Sequence, residues 1–428
     1  MLRAVFACVV LVVVWPAIAH ASDPPPPNAA RPVDYLAWVN RTYGEGIREN
    51  AAERYRAALE AFVPSDEALR LLDRNPQASW VGDDLLVLTD WVNRNDACLS
   101  KLAEAARVER CYFERKSSSR ALFDAEFPVL QPLRDVGRLL TTRARLRLVE
   151  HNVDDALEDV GTLLRCARHL ATQPQMTEFV FALGIAAQAY DVLIELPRWA
   201  GEDVDYERVL RSVREFDAAT VDRPLKQLEI EKIQAWDVAQ RSVRDRDGDG
   251  RFDTLDGPRF EGGSGRIDPP ATLPVIAARI EESCRLLRSA FDPDYAAARG
   301  AARELNSRGA LRADPILSRL LPDVTGVALT YRKGRAHRNA SRIILNLHAY
   351  HAQHGVWPKT LLDALRTEPP AVRTDPFSGA DFGYRLRDGE PVVYSVGING
   401  LDDGGRRPAN GPAWAPTRDR VFWPPVGS

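Results

Sequence analysis

Residues 137–171 read GRLLTTRARLRLVEHNVDDALEDVGTLLRCARHLA. Leucine and alanine recur there at steps of three and four, the interval that lines side chains along one face of a helix. The recurrence breaks once, at His151-Asn152-Val153. Gly137–Glu150 and Asp154–Ala171 are therefore expected as two amphipathic helices across a short turn, with small side chains at Ala144 and Ala156 allowing close approach. Cys166 lies within the stripe Leu163, Leu164, Ala167 and Leu170, the place of a buried thiol.

The same texture runs outward in both directions. From Val33 to about Leu321, Ala, Leu, Arg and Glu dominate, β-branched runs are rare and proline breaks recur at element-length intervals. Helices are expected over 34–43, 47–62, 65–73, 84–93, 97–106, 121–149, 154–171, 176–196, 204–216, 224–244, 272–290 and 293–307. The pair at 137–171 resembles a tetratricopeptide-type hairpin, and no second in-register copy follows it. Phe179–Leu196 is apolar almost all round, which marks a central core helix. Gln188 and Asp191 interrupt it, so no membrane span is expected there.

After Pro322 the texture changes. Ala340–His354 is expected as a last amphipathic helix, with Ile343, Ile344, Leu347 and Tyr350 as its stripe. A short helical stretch follows at Leu361–Leu365. Residues 382–387 and 391–396 flank Asp388-Gly389, a hairpin signal, and Val421-Phe422-Trp423 can add a third strand. The fold class expected is mainly α: an irregular helical-hairpin, tetratricopeptide-like body over 33–322 and a small α+β domain over 323–428.

At the end of the expected helix 224–244 stands Asp245-Arg-Asp-Gly-Asp-Gly-Arg-Phe-Asp-Thr-Leu-Asp256. A hard dication takes six to eight oxygens, supplied in a calcium loop from positions 1, 3, 5, 7, 9 and 12, with glycine at 6 for the turn. Asp245, Asp247, Asp249, the Arg251 carbonyl, Asp253 and Asp256 fill those slots, Gly250 is at 6, and Phe252 is the apolar pin. The loop resembles a dockerin-like or single EF-hand calcium loop. Asp256 is one methylene shorter than the usual glutamate, and Gly257-Pro258 disfavours an exit helix. An ordinary acidic turn is the competing reading. The Gly/Pro-rich stretch 257–274 is expected to be a flexible connector.

The last hundred or so residues resemble the soluble head of the type II secretion major pseudopilins. The matching text is His348-Ala-Tyr-His-Ala-Gln-His-Gly-Val-Trp-Pro358, Asp375-Pro-Phe-Ser-Gly379, Val393-Tyr-Ser-Val-Gly397, Asn399-Gly-Leu-Asp-Asp-Gly-Gly405 and Asp419-Arg-Val-Phe422. The resemblance implies a second calcium site on Asp402, Asp403 and Asp419. It departs where polar Lys333–Arg338 replaces the hydrophobic half-helix that polymerises pseudopilins, and in an Arg/Pro/Gly-rich insertion of the last loop. Val33–Trp38 and Arg143–Leu148 resemble uncharacterised exported bacterial helical proteins carrying the same tail, which implies an architecture and no activity.

Met-Leu-Arg, the apolar stretch Ala4–Ala19 and Ala19-His20-Ala21 form a signal-peptide pattern with cleavage after Ala21. The stretch is short for a span, which takes about 20 residues. A periplasmic or secreted chain is expected, with a Pro-rich tether over 22–32 and no later transmembrane segment. The balance of 57 basic and 60 acidic residues argues against nucleic acid as a partner. Cys98, Cys111, Cys166 and Cys284 could pair in three ways; Cys98 and Cys111 are nearest in sequence, and closing that loop would stabilise by about 3 kcal/mol.

Catalytic signatures are weak. No Gly-x-Ser-x-Gly elbow, His-Glu-x-x-His helix or Walker loop occurs. His348, His351 and His354 drift round a helix and read as a solvated face; His151 reads as a turn residue and His169 as a helix-surface residue. Asp83-Asp84, Asp154-Asp155 and Glu281-Glu282 point apart on helices, as helix starts or solvated faces do. Trp38, Trp80, Trp91, Trp199 and Trp236 suit a carbohydrate cleft or simple core anchoring. The expectation is a calcium-binding scaffold of the cell envelope that binds a protein or polysaccharide. The alternatives are an envelope hydrolase acting on glycans through acidic residues in a helical groove, and a component associated with a secretion apparatus.

Overall fold

A computed structural model describes residues 23–74, 80–199, 204–218, 224–256, 265–292, 294, 297–301, 324–406 and 414–425. The expected signal peptide, the connector part 257–264, most of helix 293–307, the boundary at 322/323 and the insertion at 407–413 lie outside them. The fold is mainly α with two small antiparallel sheets.

The body begins with α1 (Tyr35–Gly44), α2 (Ala52–Glu60), α3 (Asp66–Arg74), α4 (Asp83–Arg94) and α5 (Asp96–Arg107). The expected helix 121–149 is broken. A single 3-10 turn at Leu122–Asp124 comes first, and α6 (Leu130–Val149) starts only after Pro128, whose ring disfavours helix in the residue before it. α7 (Val153–Ala171) follows a turn in which His151 has φ 59°. Asn152 caps it by accepting from the Asp155 N–H at 3.2 Å, with Asp154 and Asp155 favourably placed in its first turn.

α8 (Met176–Trp199) is the hub, packed against α6, α7, α10 (Leu225–Ser242) and the long α12 (Val324–His354). The expectation that no later segment could span a bilayer does not hold on length and composition, since α8 satisfies both. Its surroundings are those of a core helix. Arg115 donates to both Glu178 oxygens at 2.6 Å, Arg145 makes a fork on Glu195 at 2.9 Å, and His337 meets Asp191 at 2.9 Å. Each acid of α8 is thus tied to a different segment of the fold.

α10 runs into a sheet of β1 (Val243–Arg244), β2 (Phe252–Leu255) and β3 (Gly265–Ala271), in that order. Residues 265–271 are therefore a strand and not the expected connector. Pro269 and Pro270 concealed this in the sequence; β3 is an edge strand, where proline is tolerated. α11 (Leu273–Ser289) packs back on α10. The expected tether is also corrected: the Asn28 and Val33 N–H groups donate to Gln240 Oε1 at 3.1 and 3.0 Å, and Tyr35 O–H donates to the Pro25 carbonyl at 2.7 Å.

α12 extends well upstream of the expected Ala340 start. The polar run 333–338 has partners across the interface: His337 meets Asp191 of α8 at 2.9 Å, and Arg338 faces Asp217 of α9 (Tyr206–Ala218) at 3.1 Å. Beyond come α13 (Leu361–Ala364), α14 (Pro370–Arg373) and the sheet β4 (Gly383–Arg387), β5 (Glu390–Ser395), β6 (Arg420–Trp423). Asp388 and Gly389, with φ 54° and 87°, form the turn that matches strand twist. The C-terminal part is not packed in isolation. Ile194 of α8 joins its core, while Ala328, Tyr331 and Leu345 of α12 belong to the core of the body.

All four described cysteines are free and buried. None of the three possible pairings is formed, Cys98–Cys111 included. Burial pushes the Cys98 and Cys166 thiols up to about 11 and Cys284 up to about 12.

Candidate metal centre

The acidic loop is the turn of a hairpin. β1 leaves the end of α10 and pairs with β2 through Val243↔Leu255 and Arg244↔Thr254, so residues 245–251 must reverse the chain. Gly248 and Gly250 do so at φ 77° and 85°, a region costly for any side chain. The Gly248 and Gly250 N–H groups donate to Asp245 Oδ1 at 2.8 Å and Oδ2 at 2.9 Å. The Asp249 N–H donates to Asp247 Oδ1 at 3.2 Å, and the Arg251 N–H to Asp249 Oδ1 at 2.7 Å. Each aspartate thereby braces the backbone, while Asp247 and Asp249 each retain one oxygen without a hydrogen-bond partner among the described residues.

Donor atoms of Asp245, Asp247 and Asp249 lie within 4.8 Å of one another, and all three residues are exposed. Three like charges this close repel, and nearby oxygens alone suit a hard cation of the calcium type. The other two carboxylates, Asp253 and Asp256, are not drawn in. Phe252 packs against the core as the expected pin, and β2 carries Asp253 into the sheet, where its Oδ1 is buried without a partner. Asp256 lies past the end of β2; its N–H donates to the Ser242 carbonyl at 2.8 Å and its carboxylate faces Arg246 at 3.5 Å. The donors fit a hard cation through three carboxylates.

Asp402, Asp403 and Asp419 share a loop but are used differently. Asp419 accepts from the Asp403 N–H at 3.2 Å and the Gly405 N–H at 2.7 Å, so both its oxygens hold backbone. Asp402 accepts from the Gly404 N–H at 2.8 Å and from the Tyr394 hydroxyl at 3.3 Å. Among the described residues, only Asp245, Asp247 and Asp249 converge as a group of three such donors.

Two histidine expectations are corrected. His348 is not on a solvated face: its ring sits edge-on to Trp357 and Trp423 at 5.0 and 4.8 Å, and its Nε2 is buried without a partner. Burial, then His351, lowers its pKa to about 4. His169 is buried too, with Nδ1 2.9 Å from the Tyr55 hydroxyl. His351 stacks on Trp357 and His354 on Tyr350, so the three rings do not converge. Asp83-Asp84 and Asp154-Asp155 occupy first turns of helices, and Trp91 is core, donating to the Val63 carbonyl at 3.0 Å. No protein-family model, curated protein or solved structure matches the chain.

Proposed function

We propose that the chain is an exported calcium-binding scaffold of the cell envelope, which holds a partner protein or polysaccharide. The observation that carries this reading is the convergence of Asp245, Asp247 and Asp249 in a loop whose backbone their own carboxylates brace. A bound calcium ion would neutralise these carboxylates and lock the β1–β2 hairpin against α10. A tetratricopeptide-like character of the body is supported by α6 and α7, which pack together across a short turn with Ala144 and Ala156 buried. The pseudopilin-like reading of the tail is supported by a long helix leaning on a three-stranded antiparallel sheet. The signal-peptide pattern supports export, to compartments where calcium is plentiful.

Calorimetry on the full chain tests the metal assignment. Calcium should bind in the micromolar to millimolar range of extracellular modules. The Asp245→Ala/Asp249→Ala double variant should lose that binding while keeping its circular-dichroism spectrum. Equal heats from both proteins would sink the proposal.

A further inference from the structure

A second candidate site lies on the body, away from the acidic loop. The end of α5, α7 and α9 enclose an open cleft of about 310 Å3. That is at the small end of ligand pockets and equals the volume of roughly ten water molecules. Two cations on its rim are already matched: Arg107 pairs with Glu158, and Arg208 meets Asp154 at 2.5 Å. Arg165 is different. No acid lies within ion-pair distance of it among the described residues. Its Nη2 reaches only the Thr162 hydroxyl at 3.2 Å, and its Nε is buried with no partner. Its guanidinium stands 5.9 Å from the centre of the Phe216 ring, and Leu157 adds a further apolar wall.

The cradle is built by Gly161. A Cβ there would lie 2.6 and 2.8 Å from Phe216 ring atoms and 3.2 Å from Arg165 Nη1. Only glycine lets ring and guanidinium settle against α7 together. Half-burying a guanidinium with no acid paired to it is costly, and the cost is recovered when an anion pairs with its fork. Burial is the largest cause lowering the Arg165 pKa, and Arg107 and Arg168 add to it against the opposing pull of Cys166 and Glu158.

We propose that this cleft binds a small organic carboxylate, its head on the Arg165 guanidinium and its apolar body against Phe216 and Leu157. A planar fork matches carboxylate geometry, and one unmatched positive charge suits a monoanion better than a dianion. The test uses the full chain in chloride-free buffer with 4-fluorobenzoate, followed by 19F line broadening. Fluorobenzoate should bind saturably and acetate several-fold more weakly, since acetate lacks the apolar body. Arg165→Gln should weaken binding about tenfold or more, the loss of a charge-assisted pair. Exposed Glu158→Gln, which frees Arg107, should tighten it several-fold, and this variant serves if Arg165→Gln does not fold. Absence of saturable binding, identical affinities in wild type and Glu158→Gln, or tighter binding of inorganic phosphate than of fluorobenzoate would overturn the proposal.

Discussion

Asp191 Oδ1 lies 2.9 Å from His337 Nδ1, joining the hub helix α8 to the long α12. The other ring nitrogen accepts from Trp414 Nε1 at 3.2 Å, a network that places the imidazole proton on Nδ1. Burial pushes the Asp191 carboxyl up, but the His337 contact, with Arg420 and Arg145 close by, outweighs it and holds the pKa below the usual range. One carboxylate therefore fixes a tautomer and a helix packing at once.

That convergence sets the first prediction. Asp191→Ala leaves the His337 Nδ1–H without its acceptor and should cost about 2 kcal/mol in urea unfolding. Asp191→Asn keeps an acceptor for Nδ1–H and should cost roughly half as much. Equal losses for the two variants would show that the hydrogen bond is not what counts.

The second prediction concerns acid. Burial is the largest cause lowering His169 to about 4, with Arg168 next, and it does the same for His348. In the unfolded chain both revert to about 6.5. Between those values the unfolded state binds more protons, so stability is fully present above pH 6.5 and falls as pH drops towards 4. Each histidine accounts for about 3 kcal/mol over that window. Urea midpoints at pH 7, 5.5 and 4 should decline, and His348→Phe should flatten the decline by about half. An unchanged slope in that variant would contradict the assignment.

Helix positions were legible because most of these helices bury one stripe, and a stripe leaves a local period. Asp388-Gly389 was legible because the turn needs positive φ at both residues. What stayed hidden depends on partners distant in sequence. Lys333–Arg338 reads as a polar break until Asp191 and Asp217 are seen to receive it. His348 looks solvated until Trp357 and Trp423 close over it. The acidic loop was half legible: spacing located the three converging aspartates, but not that β2 would take Asp253 out of the cluster and that Asp256 would face Arg246. The Arg165 cleft left no motif, because its walls come from three helices.

The third prediction separates those aspartates. With an ion held by the converging three, calcium at tenfold over its dissociation constant should stabilise the protein by about 1.4 kcal/mol. Asp245→Ala should abolish this shift, since Asp245 both faces the cluster and holds the Gly248 and Gly250 N–H groups. Asp256→Ala should leave most of it, because Asp256 faces Arg246 instead. Thermal melts with and without calcium decide the matter; an equal loss in both variants would mean that the loop rearranges into the full twelve-residue arrangement.

The last prediction lies in the C-terminal sheet. Gly383 of β4 is registered opposite Tyr394 of β5, and the tyrosine ring lies across it. A Cβ at Gly383 would fall 2.1 Å from the ring, and one at Gly405 would fall 2.5 Å from it. The ring thus lies against two glycines, with its hydroxyl 3.3 Å from Asp402 Oδ2. Gly383→Ala must displace the ring, and overpacking of this kind costs about 1–3 kcal/mol. Tyr394→Phe keeps the ring and loses only the hydroxyl contact, for about 1 kcal/mol or less. Chemical denaturation followed by tryptophan fluorescence, with Trp414 and Trp423 in this part of the fold, would report both. The double variant Gly383→Ala/Tyr394→Ala should regain part of the loss caused by Gly383→Ala, because the displaced ring is gone; additive losses would show that the strain lies elsewhere.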